Sequence, residues 1–317
     1  MDNLTHSLIG AALGQAGLKR KTGLAMPALI VAANLPDIDA ACFFWLDGTE
    51  HLGFRRGITH GPIAMVALPL LLAGALWGFD RWQAGRGKRP EGRLPVSFKW
   101  LFLLSLIGCL SHPLFDWFNN YGVRLLEPFS STWFYGDVLF IIDPWIIAAL
   151  GIGIRLSLLR ERSGNLAWTR PVRIAGLSVL AYVAFNSVFS WFAAGAGVYD
   201  GPSTSVANPV PIAFWKREVL WRDNGLLYNP RRQETYGKYE YSLFGGEIES
   251  SRVNSGPTNM ADPRISAWAK GDPQAEAFLF WSRMPVTQVG PKGILLTDQR
   301  FMDNPARATF TVELKPR

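Results

Sequence analysis

The sequence predicts an α-helical multi-pass membrane domain of about six helices, residues 1–198, followed by a small β-rich extramembrane domain, residues 199–317. Three observations predict this. The chain is 49% hydrophobic and 18% charged, where a soluble domain carries roughly 25% charged residues. Long apolar runs follow one another through the first two thirds of the chain. After about Val198 those runs stop, and Gly, Pro, Ser and Asn take their place.

The helices follow in order. Residues 4–18 give about 15 positions, short for a span, and residues 22–46 are longer but hold Pro27, Asn34, Pro36, Asp37 and Asp39. Residues 61–79 are 19 positions without a charge. Residues 100–114 are apolar and extend to Trp117; 138–159 are interrupted by Asp143 and Arg155, and 172–198 by Arg173. These last four runs suit a hydrocarbon core of about 30 Å. The start, Met-Asp-Asn, lacks the basic region of a cleavable signal peptide. In the second domain, β-like segments at 213–220, 225–228, 277–281, 293–297 and 308–314 alternate with turn signals such as Asn208-Pro209.

Basic residues set the orientation. Lys19, Arg20 and Lys21, then Arg81 to Lys99, then Arg155 to Arg173 mark three cytoplasmic connections. The 119–137 loop, with Arg124, Glu127 and Asp137, belongs outside, and six spans then place both termini and the second domain on the outer, periplasmic side of a bacterial inner membrane. Trp45, Trp77, Trp100, Trp117, Trp133 and Trp191 fall near helix ends, as an aromatic belt requires.

Composition also excludes classes. Cys42 and Cys109 both sit in apolar runs, which rules out a disulfide scaffold and a thiolate zinc module. The net charge is +7, yet residues 1–198 hold 17 Lys+Arg against 12 Asp+Glu, and residues 199–317 hold 15 against 13. The excess lies in clusters between apolar runs, so the expected partner is membrane lipid and not nucleic acid.

Ionisable groups at membrane depth are costly and are functional candidates by default. Here they are His6, Asp37, Asp39, His60, His112, Asp116 and Asp143, on five helices, and all map to the outer half. His112 and Asp116 are four residues apart, which puts both on one helix face, roughly 6 Å apart, within reach of one metal or two adjacent metals. Such a His–Asp set suits Zn, Mn or Fe, and an ion there lowers the pKa of bound water. Singly, each residue has a blander reading. His6 can be an interfacial helix-end residue, and Asp37 can cap a turn in Asn34-Leu35-Pro36-Asp37. Asp143 can cap the helix that Pro144 starts, His51 can be a solvated loop residue, and Arg124 a surface cation. Joint placement is what carries the site.

Six ordered motifs then bring a resemblance. They are Asp2-Asn3-Leu4-Thr5-His6-Ser7, Asn34-Leu35-Pro36-Asp37-Ile38-Asp39, Arg56-Gly57-Ile58-Thr59-His60, Ser111-His112-Pro113-Leu114-Phe115-Asp116, residues 121–130, and Phe140-Ile141-Ile142-Asp143-Pro144. Over residues 2–144 the chain resembles the YdjM-like family of bacterial inner-membrane, metal-dependent hydrolases. The resemblance implies a membrane hydrolase. Two departures stand out: Arg55-Arg56-Gly57 replaces a His-Arg-Gly common in the family, and Gly61-Pro62 follows the Thr-His where Ser is frequent. The lost histidine leaves one ligand missing or replaced by His51. A more distant resemblance, in ligand order, is to zinc-dependent phospholipase C and its nuclease relatives. By position it implies one metal site from Asp37 or Asp39, His60, His112 and Asp116, and a second from His6 with Asp116. No histidine follows His112, so the later ligand group of those enzymes has no counterpart.

The expectation is a membrane-bound metal-dependent phosphoesterase acting on a lipid or lipid-linked substrate at the outer leaflet, with one or two divalent ions, zinc before manganese or iron. His6, Asp39, His60, His112 and Asp116 are the expected ligands, Asp37 and Asp143 the expected catalytic carboxylates, and Arg56 and Arg124 the expected phosphate-binding residues. The alternatives are a transporter using the polar cluster, a membrane scaffold without catalysis, and, less favoured because HExxH is absent, a membrane metalloprotease.

Overall fold

The computed structural model describes residues 1–196, 204–223, 235–244, 256–289, 293–302 and 307–315. The chain divides into two compact units. One comprises Met1–Asp39 and Arg56–Asn186, the other Ala40–Arg55 and Ser187–Arg317.

The first unit is helical. Helix α1 (Asn3–Gln15) starts where the Asp2 carboxylate accepts from the Thr5 N–H at 3.0 Å and the Thr5 hydroxyl at 2.6 Å. Helix α2 (Ala25–Ala32) leads into a 3-10 helix over Leu35–Phe44, which carries on into the second unit, where the short α3 (Glu50–Phe54) also lies. Back in the first unit come α4 (Ala64–Gly85), α5 (Phe98–Trp117) and α6 (Pro144–Arg162), and α7 (Arg170–Ala196) runs from the first unit into the second.

Three of these helices are long and apolar enough to cross a membrane: Ala64–Gly85, Phe98–Trp117 and Arg170–Gly195. Ala25–Ala32 and Leu35–Phe44 make a fourth if a pair bent by 50° is counted as one broken span. The expected six spans thus become three, or four with the broken pair, among the described residues. The reasons are local. Helix α1 has 13 residues, about 20 Å of rise against a core of about 30 Å. Helix α6 carries Arg155 and ends in Arg160-Glu161-Arg162. Outward faces of the long helices expose Val66, Leu70 and Leu71 on α4 and Leu177 and Leu180 on α7, the texture of a lipid-facing surface.

Close helix contact is made by small residues. A Cβ on Gly10 of α1 would stand 2.6 Å from the Leu29 carbonyl oxygen of α2, and one on Gly108 of α5 would stand 2.8 Å from the same oxygen and 2.9 Å from Ala32 Cβ. Helix α2 is therefore gripped on two sides at glycine, the packing logic of membrane helices. Around it, Ala25, Ala28, Leu29, Ala73, Leu101 and Leu104 form one buried cluster. Ile9, Phe115, Ile146, Leu150 and Val179 form another, tying α1 to α5, α6 and α7.

In the second unit, strands β1 (Thr204–Pro209), β2 (Lys216–Asp223), β3 (Thr235–Ser242) and β4 (Gly256–Pro257) make one antiparallel sheet. Helices α8 (Pro263–Ala269) and α9 (Pro273–Trp281) follow, then β5 (Pro285–Val289), β6 (Ile294–Asp298) and β7 (Thr311–Leu314) in a second antiparallel sheet. The expected strand at 277–281 is instead the end of α9. Asp272 caps that helix by accepting from the Gln274 and Ala275 N–H groups, and Pro273 occupies its first turn. The expected strand at 225–228 lies outside the described residues.

Asp298 and Arg300, both fully buried, pair through two bonds of 2.9 and 2.8 Å. Burial pushes the Asp298 carboxyl up, but Arg300 and the Ser282 hydroxyl outweigh it and hold the group below its usual range. That stabilisation is complete above the unfolded carboxyl value, about 3.9, and is lost as pH falls through the lower folded value.

Two outcomes follow for thermal unfolding of the full chain in detergent. Gly108→Ala lowers stability by about 1–3 kcal/mol through overpacking, whereas Gly74→Ala, where a Cβ meets nothing within 4 Å, does not lower it. Asp298→Asn costs about 3–5 kcal/mol at neutral pH, and its gap from the wild type narrows below about pH 4.

Candidate metal centre

Four elements deliver the polar side chains. The α1 cap at Asp2 fixes the first turn that carries His6. The break after α2 turns the chain at Asn34, whose amide donates to the Ile30 carbonyl at 2.8 Å and to the Ser7 hydroxyl at 3.0 Å. Asp37 and Asp39 follow in the 3-10 segment. A short 3-10 turn, Ile58–His60, carries His60, and α5 carries His112 and Asp116. The gripping glycines sit one helical turn from two of these residues, Gly10 four positions after His6 and Gly108 four before His112. That grip lets the His6 and His112 rings stack with centroids 3.8 Å apart.

Asp37, His60, His112 and Asp116 each offer one ligand atom, and these atoms all lie within 4.8 Å of one another. All four residues are buried. Asp116 is the centre. Its Oδ2 is 3.5 Å from His60 Nε2, 3.6 Å from His112 Nε2 and 3.0 Å from Arg56 Nε. Its Oδ1 is 3.4 Å from His6 Nε2 and also contacts the Met1 amino group. Asp37 Oδ1 lies 3.7 Å from His112 Nε2.

The Nε2 atoms of His6, His60 and His112 are buried without a hydrogen-bond partner. Three such nitrogens facing one carboxylate are costly in an apolar interior, and a divalent cation among them removes that cost. The donor set fits zinc, manganese or iron.

The far sides of two rings are fixed as metal-ligating imidazoles require. His112 Nδ1 meets the Ala33 carbonyl oxygen at 2.7 Å, so Nδ1–H donates there and Nε2 turns to the cluster. His60 Nδ1 lies 3.0 Å from the Thr59 hydroxyl and 3.7 Å from Asp39 Oδ2. Asp39 Oδ2 also accepts from the Arg56 N–H at 2.7 Å and from the Thr59 hydroxyl at 3.0 Å. The structure thus places Asp37 in the group of four and Asp39 beside His60.

Arg56 adopts φ +54°, a left-handed backbone that costs a non-glycine residue roughly 1–2 kcal/mol. Its N–H donates to Asp39 and its carbonyl accepts from the Arg124 N–H at 2.9 Å, which holds that conformation. The guanidinium faces Asp116, donates to Asn119 Oδ1 at 3.1 Å and lies 4.5 Å over the Tyr121 ring. Arg124 instead pairs with Glu127 at 2.8 Å and lies over Trp133. Burial draws its pKa down, and Glu127 works against that.

Asp143 is not in the ligand group. Its Oδ1 accepts from the Trp145 and Ile146 N–H groups at 3.0 and 3.1 Å, and its Oδ2 accepts from the Tyr182 hydroxyl at 3.0 Å. It is the N-cap of α6. His51 belongs to the second unit, with Nδ1 2.8 Å from the Gly48 carbonyl and its ring against Phe43, and is not one of the four grouped residues. Sequence reasoning passed over Thr59, Asn119 and the Ala33 carbonyl. Thr59 lies inside a motif and Asn119 between two, but a backbone acceptor leaves no side-chain signal.

A family model described as YdjM inner membrane protein matches residues 1–194, which include the whole cluster. A Bacillus subtilis (strain 168) protein described as "Uncharacterized protein YfhP" is 27% identical over 164 residues, 48% of this chain and 46% of that protein. The chain thus aligns with less than half of that curated relative. No solved structure matches.

The cap role of Asp143 predicts that Asp143→Ala lowers thermal stability by about 1 kcal/mol and leaves metal content, read by elemental analysis, at the wild-type level.

Proposed function

The chain belongs to the YdjM inner membrane protein family, and from that membership together with the buried imidazole–carboxylate cluster we propose that it is a membrane-bound, metal-dependent hydrolase. We assign it phosphoester bonds of a lipid or lipid-linked substrate. The observation that carries this reading is the convergence of Asp37, His60, His112 and Asp116 within 4.8 Å, with three imidazole nitrogens left without a hydrogen-bond partner. A divalent ion bound there supplies Lewis acidity and an acidified water at neutral pH.

The residues then divide the work. Asp37, His60, His112 and Asp116 hold the ion through one atom each. His6 and Asp116 Oδ1 offer an adjacent position for a second. Asp39 and Thr59 hold the His60 ring, and the Ala33 carbonyl holds His112. Asp37 would give one oxygen to such an ion, and as a carboxylate beside it would be the group to take up a proton from water. Arg56, fixed by Asn119 and Tyr121 and facing Asp116, is placed to bind a phosphoryl oxygen of the substrate. Arg124, paired with Glu127, supports the loop and the Arg56 backbone. The lipid preference is positional: a cluster built on apolar helices meets lipid head groups first. The basic connections 19–21 and 81–99, which precede α2 and join α4 to α5, favour a cluster that faces the outside of the cell.

Elemental analysis of protein purified in detergent without chelator, beside His112→Ala, tests the metal. About one or two equivalents of Zn, Mn or Fe are expected in the wild type, falling to background in the variant. A wild type that binds none of these ions after reconstitution overturns the metal centre. With metal present, release of phosphate or phosphorylated head group from mixed phospholipid micelles is expected and is lost in Arg56→Ala. Metal bound without any phosphoester hydrolysis overturns the phosphoesterase assignment alone.

A further inference from the structure

Among the described residues, the sheet of the second unit carries an exposed apolar tip. From Thr204 onward, the exposed large hydrophobic residues among those described are Ile212, Leu243, Phe244 and Phe280. Three of these four lie at one end of one sheet. Ile212 sits in the turn between β1 and β2, and Leu243 and Phe244 follow the end of β3. Lys216 pairs with Ser242 across the strands, and the Leu243 N–H reaches the Trp215 carbonyl at 3.1 Å, so both segments leave the sheet at the same place. The Trp215 and Phe244 rings lie 6.3 Å apart. Ile212 is 62% and Phe244 77% exposed. Ile212 also takes φ +67°, a conformation unfavourable for a β-branched residue, in this exposed turn.

The end of α7 gives the direction of that tip. The Ser205 hydroxyl meets the Ala194 carbonyl at 3.5 Å, Ala207 and Val219 pack on Ala193, Arg217 donates to the Ser190 hydroxyl at 2.8 Å, and Tyr241 lies against Phe189. Going from Ser205 to Pro209, whose partner is Arg217, therefore means going backwards along α7 from Ala194 to Ser190. The turn at Ile212 continues in that sense along the part of α7 that belongs to the second unit, in a helix long and apolar enough to cross a membrane. On the helix itself Val188, Trp191 and Phe192 are exposed. Immediately behind the tip, Lys216 and Glu240 form an ion pair at 2.7 Å, both partly in solvent. Apolar residues at the end and charges one step behind are the profile of a surface that enters a bilayer interface.

We propose that Ile212, Leu243 and Phe244 insert into the lipid bilayer beside α7 and anchor the sheet to the membrane surface. The occupant of this apolar face is lipid, because it continues the apolar surface of a membrane helix and ends in a charged collar. The role does not depend on the hydrolase reading.

Spin labels on Phe244→Cys and Ile212→Cys, with Lys270→Cys as an exposed reference, test the proposal in vesicles of phosphatidylethanolamine and phosphatidylglycerol. The native thiols, Cys42 and Cys109, are buried. The expected result is collision with a water-soluble nickel chelate severalfold lower at 212 and 244 than at 270, with collision with oxygen higher. Chelate access at 212 and 244 equal to that at 270 overturns the proposal. Low access to both chelate and oxygen also overturns it, since it means that protein covers the tip. The two tip positions are independent, so failure of one variant to fold leaves the other to decide.

Discussion

A carboxylate with no solvent exposure must be met by positive charge or by donors, and Asp116 is such a group. Much of the first unit answers that demand. One oxygen faces His60, His112 and Arg56, and the other faces His6 and the Met1 amino group. These partners come from three separated stretches of chain, residues 1–6, 56–60 and 112. Each must arrive on an element that also buries its apolar face. Arg56 supplies a permanent charge; the imidazoles supply nitrogen atoms that could hold a metal ion. A buried arginine–aspartate pair alone would not require three unpartnered imidazole nitrogens around it, and this asymmetry favours a metal over a structural ion pair.

The grip on α2 is the mechanical counterpart of that electrostatics. Three helix backbones meet at the Leu29 carbonyl because Gly10 and Gly108 carry no side chain. Side chains at those positions would separate α1 from α5, and the stacked His6 and His112 rings would part. The same approach brings the Ala33 carbonyl to His112 Nδ1, so packing of small residues selects the tautomer that leaves Nε2 for the cluster. Packing and chemistry are one constraint here.

Side chains with chemistry were legible in the sequence when a helix or a motif held them. The i, i+4 spacing of His112 and Asp116 placed both on one face, and α5 carries them so. Order within Asp37-Ile38-Asp39 was not legible. The 3-10 geometry after the α2 break decides which carboxylate points to the cluster and which turns behind His60, and no periodicity encodes a break of 50°. Six spans are not confirmed for a related reason: apolarity marked α1 and α6, but α1 has 13 residues and α6 carries Arg155 and ends in Arg160-Glu161-Arg162. In the second domain, apolar residues at 277–281 read equally well as strand or helix end. The Asp-Pro pair four positions upstream decides for helix, as Asp143-Pro144 does at α6.

Three Asp-Pro caps start α6, α8 and α9, and they bear on how Asp143 is to be understood. An aspartate at membrane depth is a functional candidate because an unpaired charge there is expensive. At Asp143 the charge is met by two helix N–H groups and the Tyr182 hydroxyl. The same dipeptide also caps helices at Asp262 and Asp272, in the second unit. A residue type that recurs as an N-cap at three helix starts, each time accepting from backbone N–H of the first turn, has a local role. His6, His60 and His112 have no such local explanation for their Nε2 atoms. What separates site from scaffold in this chain is therefore not burial or charge, which both share, but whether the backbone nearby already satisfies the group.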